Sequence, residues 1–106
     1  MNLTVVLPDG SARPVACADR GSVMECLRQA GLPVRAECGG AMACATCHVH
    51  VDPAWLAKTG PAGADEADLL DMSDYRADNS RLACQIKCGP ALDGLVVTLQ
   101  LDAYEG

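Results

Sequence analysis

The pattern of apolar and polar positions is clearest at the start of the chain. Residues Asn2 to Leu7 are mostly apolar or β-branched and predict a strand. Pro8-Asp9-Gly10-Ser11 follows. An Asp-Gly pair after such a run signals a hairpin turn, so Arg13 to Cys17 is expected as the returning strand. Ser22 then reads as a helix N-cap, with Glu25 three residues on as its capping-box partner. Val23, Cys26, Leu27 and Ala30 share one apolar face at helical spacing. Gly31 ends that helix and Pro33 prevents its resumption. Cys26 is expected in the core, and Cys17 as a small hydrophobe packed in its strand.

Further on, His48-Val49-His50-Val51 alternates like a strand. Pro53-Ala54-Trp55-Leu56 predicts one helical turn, and Thr59 to Gly63 a flexible break. Asp65 to Met72 is a short acidic helix, and Asp78-Asn79-Ser80 a turn. Leu82 to Ile86 continues the chain, Gly89-Pro90 breaks it, and Leu95 to Leu101 is a final strand. Strands and a hairpin with interspersed helices make an α+β pattern. The 106 residues are expected to form one domain, 1–106, without internal repeats or low-complexity segments.

Four cysteines change this picture. Cys38, Cys44 and Cys47 lie in Glu-Cys-Gly-Gly-Ala-Met-Ala-Cys-Ala-Thr-Cys-His, residues 37–48, and Cys84 lies in Arg-Leu-Ala-Cys-Gln-Ile. Four thiolates can hold zinc or an iron–sulfur cluster. Zinc needs only a tight knuckle. A cluster is larger, so a loop must wrap it with N–H groups turned inward. Gly39, Gly40, Ala41, Ala43 and Ala45 have almost no side chain to obstruct that approach. This tilts the reading to a cluster, with zinc, a disulfide framework and a redox Cys-x-x-Cys as alternatives. Cys88, four residues past Cys84, is a rival for the fourth ligand position.

Composition narrows the partners. Fourteen acids face eight bases, a formal charge of −6. An oxidised 2Fe-2S cluster with four thiolates adds about −2, and its reduced form about −3. Such a chain is a poor ligand for nucleic acid or an anionic membrane, and a good one for a protein with a basic patch. Seven cysteines, an odd number, fit poorly with a fully paired secreted scaffold. The N-terminus has no signal-peptide pattern and no stretch approaches eighteen apolar residues. A reducing cytoplasm is therefore expected.

The C-x5-C-x2-C-x36-C spacing, the His after the third Cys, and Arg-Leu-Ala-Cys-Gln-Ile together resemble the adrenodoxin/putidaredoxin class of 2Fe-2S ferredoxins. The resemblance spans nearly the whole chain. It implies a β-grasp fold: a mixed sheet, one main helix, and a cluster loop near one edge. It implies a 2Fe-2S cluster on Cys38, Cys44, Cys47 and Cys84, with Cys88 a bystander. Gly39, Gly40, Ala43, Thr46 and His48 would surround the cluster without binding iron. For His48 it implies hydrogen bonds to backbone that bridge the cluster loop and the acidic segment. Rieske-type ligation would need two histidines in place of two cysteines.

Residues 65–78 hold Asp65, Glu66, Asp68, Asp71, Asp74 and Asp78, with Arg76 the only base. So many uncompensated acids suggest a docking face rather than a merely solvated one. The resemblance aligns Asp68 and Asp71 with the family's acidic recognition pair. One departure matters: vertebrate members carry Tyr where this chain has Asp74, with Tyr75 beside it, so contacts of that Tyr do not transfer. Glu37 takes the place of an Asp that putidaredoxin-like members use in partner contact. Tyr104 is near the terminal aromatic of some bacterial relatives, at different spacing. His50 is assigned no role.

The resemblance thus implies a monomeric one-electron carrier in a bacterial cytoplasm, not itself an enzyme. Its donor would be a flavin-containing ferredoxin reductase driven by NAD(P)H, and its acceptor a cytochrome P-450 type monooxygenase. Alternatives are a ferredoxin for iron–sulfur cluster assembly, a redox-sensing regulator, and a zinc-stabilised binding module.

Overall fold

The computed structural model describes residues 1–35 and 47–104. Strands β1 (Asn2–Val6) and β2 (Ala12–Ala16) form the antiparallel hairpin, with Leu3 opposite Val15. Strand β3 spans His48–Val51, β4 Ser80–Leu82 and β5 Leu95–Leu99. The sheet order is β2-β1-β5-β3-β4, with β1 and β5 parallel and the other pairs antiparallel. The sheet is therefore mixed and open, and β5, last in sequence, is central. Burial explains that placement. Leu95, Val97 and Leu99 alternate inward on β5, against Leu3 and Val5 of β1 and Val49 and Val51 of β3.

Among the described residues three helices of equal length accompany the sheet: α1 (Val23–Gln29), α2 (Pro53–Thr59) and α3 (Ala64–Leu70). Of these, α1 buries the most side chains and stands as the main helix that was expected. In α1 the Ser22 side chain accepts a hydrogen bond from the Glu25 amide at 3.1 Å, and Val23, Met24, Cys26 and Leu27 are buried. Gly31, at φ +78°, follows the helix in a conformation that only glycine adopts without strain. Helix α2 is longer than the one turn that Pro53 to Leu56 suggested. Asp52 caps its start at the Ala54 amide, and it runs on until Gly60. The Trp55 ring lies against Gly94, where an added Cβ would sit 3.2 Å from it.

Short 3-10 turns at Ala83–Gln85, Pro90–Leu92 and Leu101–Ala103 complete the path. The last of these takes over where the final strand was expected to continue to Leu101. Cys17 and Cys26, expected as separate hydrophobic residues, are joined in a disulfide. Cys17 follows β2 directly and Cys26 lies on the buried face of α1, so packing the helix beside the hairpin brings the two together. Among the described residues no helix is long and apolar enough to cross a membrane.

Candidate metal centre

Strand register assembles the centre. Cys47 directly precedes β3, and His48 at the start of β3 pairs with Leu82 at the end of β4. The antiparallel ladder continues one step further, with the Ala83 amide donating to the Cys47 carbonyl at 2.9 Å. Cys84, next in the 3-10 turn, is thereby delivered to Cys47 across thirty-six intervening residues. Cys47 is fully buried and Cys84 partly exposed, and neither is in a disulfide. Hydrogen bonding to Cys47 holds the Cys84 thiol well below its usual range, at about 6, with help from the Gln85 amide and against burial. A thiol poised to ionise, beside the Cys47 thiol, is the donor chemistry that iron–sulfur ligation needs.

Cys88 is placed differently. Its amide donates to the Gly21 carbonyl at 2.8 Å, at the entry to α1, and burial pushes its thiol up. Cys38 and Cys44 lie outside the described residues, as do Glu37, Gly39, Gly40, Ala43 and Thr46.

His48 is fully buried, and among the described residues its ring bonds to side chains; the cluster loop that the expected backbone bonds would reach lies outside them. Nδ1 lies 3.2 Å from both Asp102 carboxylate oxygens, and Nε2 lies 2.7 Å from Ser80 Oγ. The Ser80 hydroxyl also accepts from the Ala77 amide at 2.8 Å. That leaves its proton for Nε2, so Nδ1–H faces the carboxylate. Ser73, three residues past α3, donates to Asp102 at 2.5 Å and accepts from the Tyr75 amide at 3.1 Å. Burial lowers the imidazole's pKa, against Asp102, which favours the charged form. The expected bridge to the acidic segment therefore exists, but it is built from Ser73 and Asp102. Its partners lie 25 and 54 residues away in sequence, beyond the reach of any local pattern. His50 adds a second tie, Nε2 to the Tyr75 carbonyl at 2.8 Å, which sequence reasoning missed. Alternation along β3 was the available signal, since it sets His50 on the same face as His48.

The acidic run divides. Asp65, Asp68, Asp71, Asp74 and Asp78 are exposed. Glu66, expected among the docking acids, is buried at 4 % exposure and cannot serve there. It meets Arg81 Nε at 2.7 Å and Nη2 at 3.3 Å, and accepts from the Leu82 amide at 2.8 Å. Arg81 also donates to the Thr59, Gly60 and Gln85 carbonyls. The pair thus ties α3 to the strand end two residues before Cys84. Asp71, at the C-terminal end of α3 where a carboxylate opposes the helix dipole, pairs with Arg76. Tyr104 is not a frayed end: it is partly buried and bridges to Val34.

Residues 6–89 match the family model for the 2Fe-2S iron–sulfur cluster binding domain. The 2Fe-2S ferredoxin CtmE of Castellaniella defragrans is 43 % identical over 92 % of each chain. A ferredoxin crystal structure from Rhodopseudomonas palustris superposes with a TM-score of 0.90 at 47 % identity, covering 98 % of this chain and 100 % of that one. Putidaredoxin in its covalent complex with putidaredoxin reductase gives 0.87 at 37 %, covering 93 % and 97 %. The chain belongs to the adrenodoxin/putidaredoxin-type 2Fe-2S ferredoxins, electron-transfer proteins with a β-grasp fold and a 2Fe-2S cluster.

Proposed function

We propose that this ferredoxin carries single electrons from a flavin-containing, NAD(P)H-driven ferredoxin reductase to a cytochrome P-450 type monooxygenase. Cys38, Cys44, Cys47 and Cys84 hold the cluster. When bound, the cluster supplies a one-electron couple; the chain supplies ligands, partial burial and a docking face. The observation that carries the reading is a juxtaposition. The partly exposed Cys84 is two residues from Leu82, whose amide is held by Glu66 of α3, and the other acids of that helix face solvent. A partner drawn to the acids is drawn close to the cluster. The relative solved with its reductase supports that donor, and the likeness to this class supports the acceptor. Charge complementarity suits such a small, transient redox contact, because it raises the on-rate without a large buried area.

The test combines ligand and docking variants. Serine at Cys38, Cys44, Cys47 or Cys84 should abolish or grossly alter the visible spectrum, while Cys88→Ser should leave it intact. Asp68→Asn with Asp71→Asn should keep the spectrum, slow reduction by the reductase and flatten its salt dependence. The control is Asp52→Asn with Asp93→Asn, where asparagine can still accept the Ala54 and Asn2 amides. Equal slowing by both pairs would reduce the effect to net charge and refute the docking face.

A further inference from the structure

The electron-carrier reading leaves the Cys17–Cys26 disulfide without a task. The bond links the end of edge strand β2 to the middle of α1. From Cys26 a short path leads to the cluster side. The Val23 amide donates to the Ile86 carbonyl at 2.8 Å, Ser22 bridges to Lys87, and the Cys88 amide donates to the Gly21 carbonyl. The start of α1 is therefore bonded to the three residues 86–88, just beyond Cys84. A seven-residue helix has little stability of its own, so its position depends on packing and on this cross-link.

The bond is also within reach. Cys17 is partly exposed, and Cys26, itself only 8 % exposed, lines a cleft of about 210 Å³ with Arg20, Ser22, Glu25 and Gln29. In that cleft the cationic Arg20 favours an approaching thiolate and the Glu25 carboxylate opposes it. In a chain whose Cys84 and Cys88 stand outside any disulfide, a reachable disulfide is a different object from a sealed staple.

We propose that Cys17–Cys26 is a redox-responsive site, opened by a dithiol reductant, that sets how firmly the Cys84 segment grips the cluster. One thiolate of the dithiol attacks a sulfur of the bond. The S–S bond breaks, a mixed disulfide forms, and the other cysteine leaves as a thiolate and takes a proton. The reductant's second thiol then closes its own disulfide and frees the first cysteine. Two electrons and two protons pass from the dithiol to Cys17 and Cys26. With the link open, β2 no longer restrains α1, and residues 86–88 lose their fixed support. The inference rests on Cys84 being a ligand, as proposed above.

The experiment uses folded holoprotein treated with dithiothreitol under native conditions. Alkylation followed by mass spectrometry counts freed thiols, and the decay of visible absorbance in a chelator gives the rate of cluster loss. Cys17 and Cys26 should become alkylated while the protein stays folded, and cluster loss should quicken by about tenfold. The double variant Cys17→Ser with Cys26→Ser should lose its cluster at the fast rate with or without dithiothreitol, which separates the link from any action of the reductant on the cluster. Should that variant fail to fold, the treated wild type carries the test alone. Resistance of the bond until global unfolding would overturn the proposal, as would its opening without change in cluster loss, or seven free thiols in the purified, denatured protein. A wrong ligand assignment would show separately, as Cys84→Ser retaining a normal spectrum.

Discussion

The two halves of the sheet are held together by different forces. On the β2-β1 side the described interior is apolar: Leu3, Val5, Leu7 and Val15 bury against one another and against β5. On the β3-β4 side, beside the cysteines, His48, Ser80, Arg81 and Glu66 are buried as well. Among the described residues no buried side-chain nitrogen or oxygen lacks a partner. Apolar burial is non-directional and fixes distance loosely; hydrogen bonds and ion pairs fix orientation. The half that brings Cys47 and Cys84 together uses the directional kind. The cost is fragility, because an unsatisfied buried polar group is penalised more than a lost methyl group.

Breaking the polar half should have the largest effect. Arg81→Met leaves the Glu66 carboxylate buried without its partner and should cost about 3–5 kcal/mol in thermal unfolding. Adding Glu66→Met should recover most of that loss, since a well-packed apolar pair can replace a buried ion pair. Failure to recover would mean that the donors at Leu82 and the acceptors at Thr59, Gly60 and Gln85 matter more than the pair itself.

In the apolar half, Leu3→Ala should cost about 3 kcal/mol by removing buried methyl groups and leaving a cavity. Its cluster spectrum should match the wild type, because β1 contributes to the core and not to the cysteine register. A shifted spectrum would show that the two halves are less independent than their chemistry suggests. A smaller loss, about 1–2 kcal/mol, is expected for His48→Phe. Ser80 keeps the Ala77 amide and Asp102 keeps Ser73, so only part of the network is orphaned. Hydrogen exchange should rise in residues 73–79, which His48 helps to anchor, and stay low on β1.

Local signals made much of this protein readable from its residues alone. Asp9-Gly10 marked the hairpin, Ser22 and Glu25 marked the start of α1, and alternation marked β3 and β5. Each works within a few residues, over which backbone preference and side-chain period act without help from the rest of the chain. The cysteine spacing named a metal centre because ligand chemistry needs only the right thiols in the right loop.

What stayed hidden depended on contacts between distant segments. A carboxylate in an acidic run reads as solvated, and only the folding of β4 onto α3 set Arg81 opposite Glu66 and drew that one acid inside. His48 announced a hydrogen-bonded histidine, but its carboxylate partner arrives with the C-terminal turn. Cys17 and Cys26 each looked like small core residues, and only the packing of α1 beside β2 made them a pair. The chain alone determined which elements form and what chemistry they carry. Tertiary structure decided which polar groups meet, because burial removes water as the competing partner and leaves each group to the neighbours that the fold supplies.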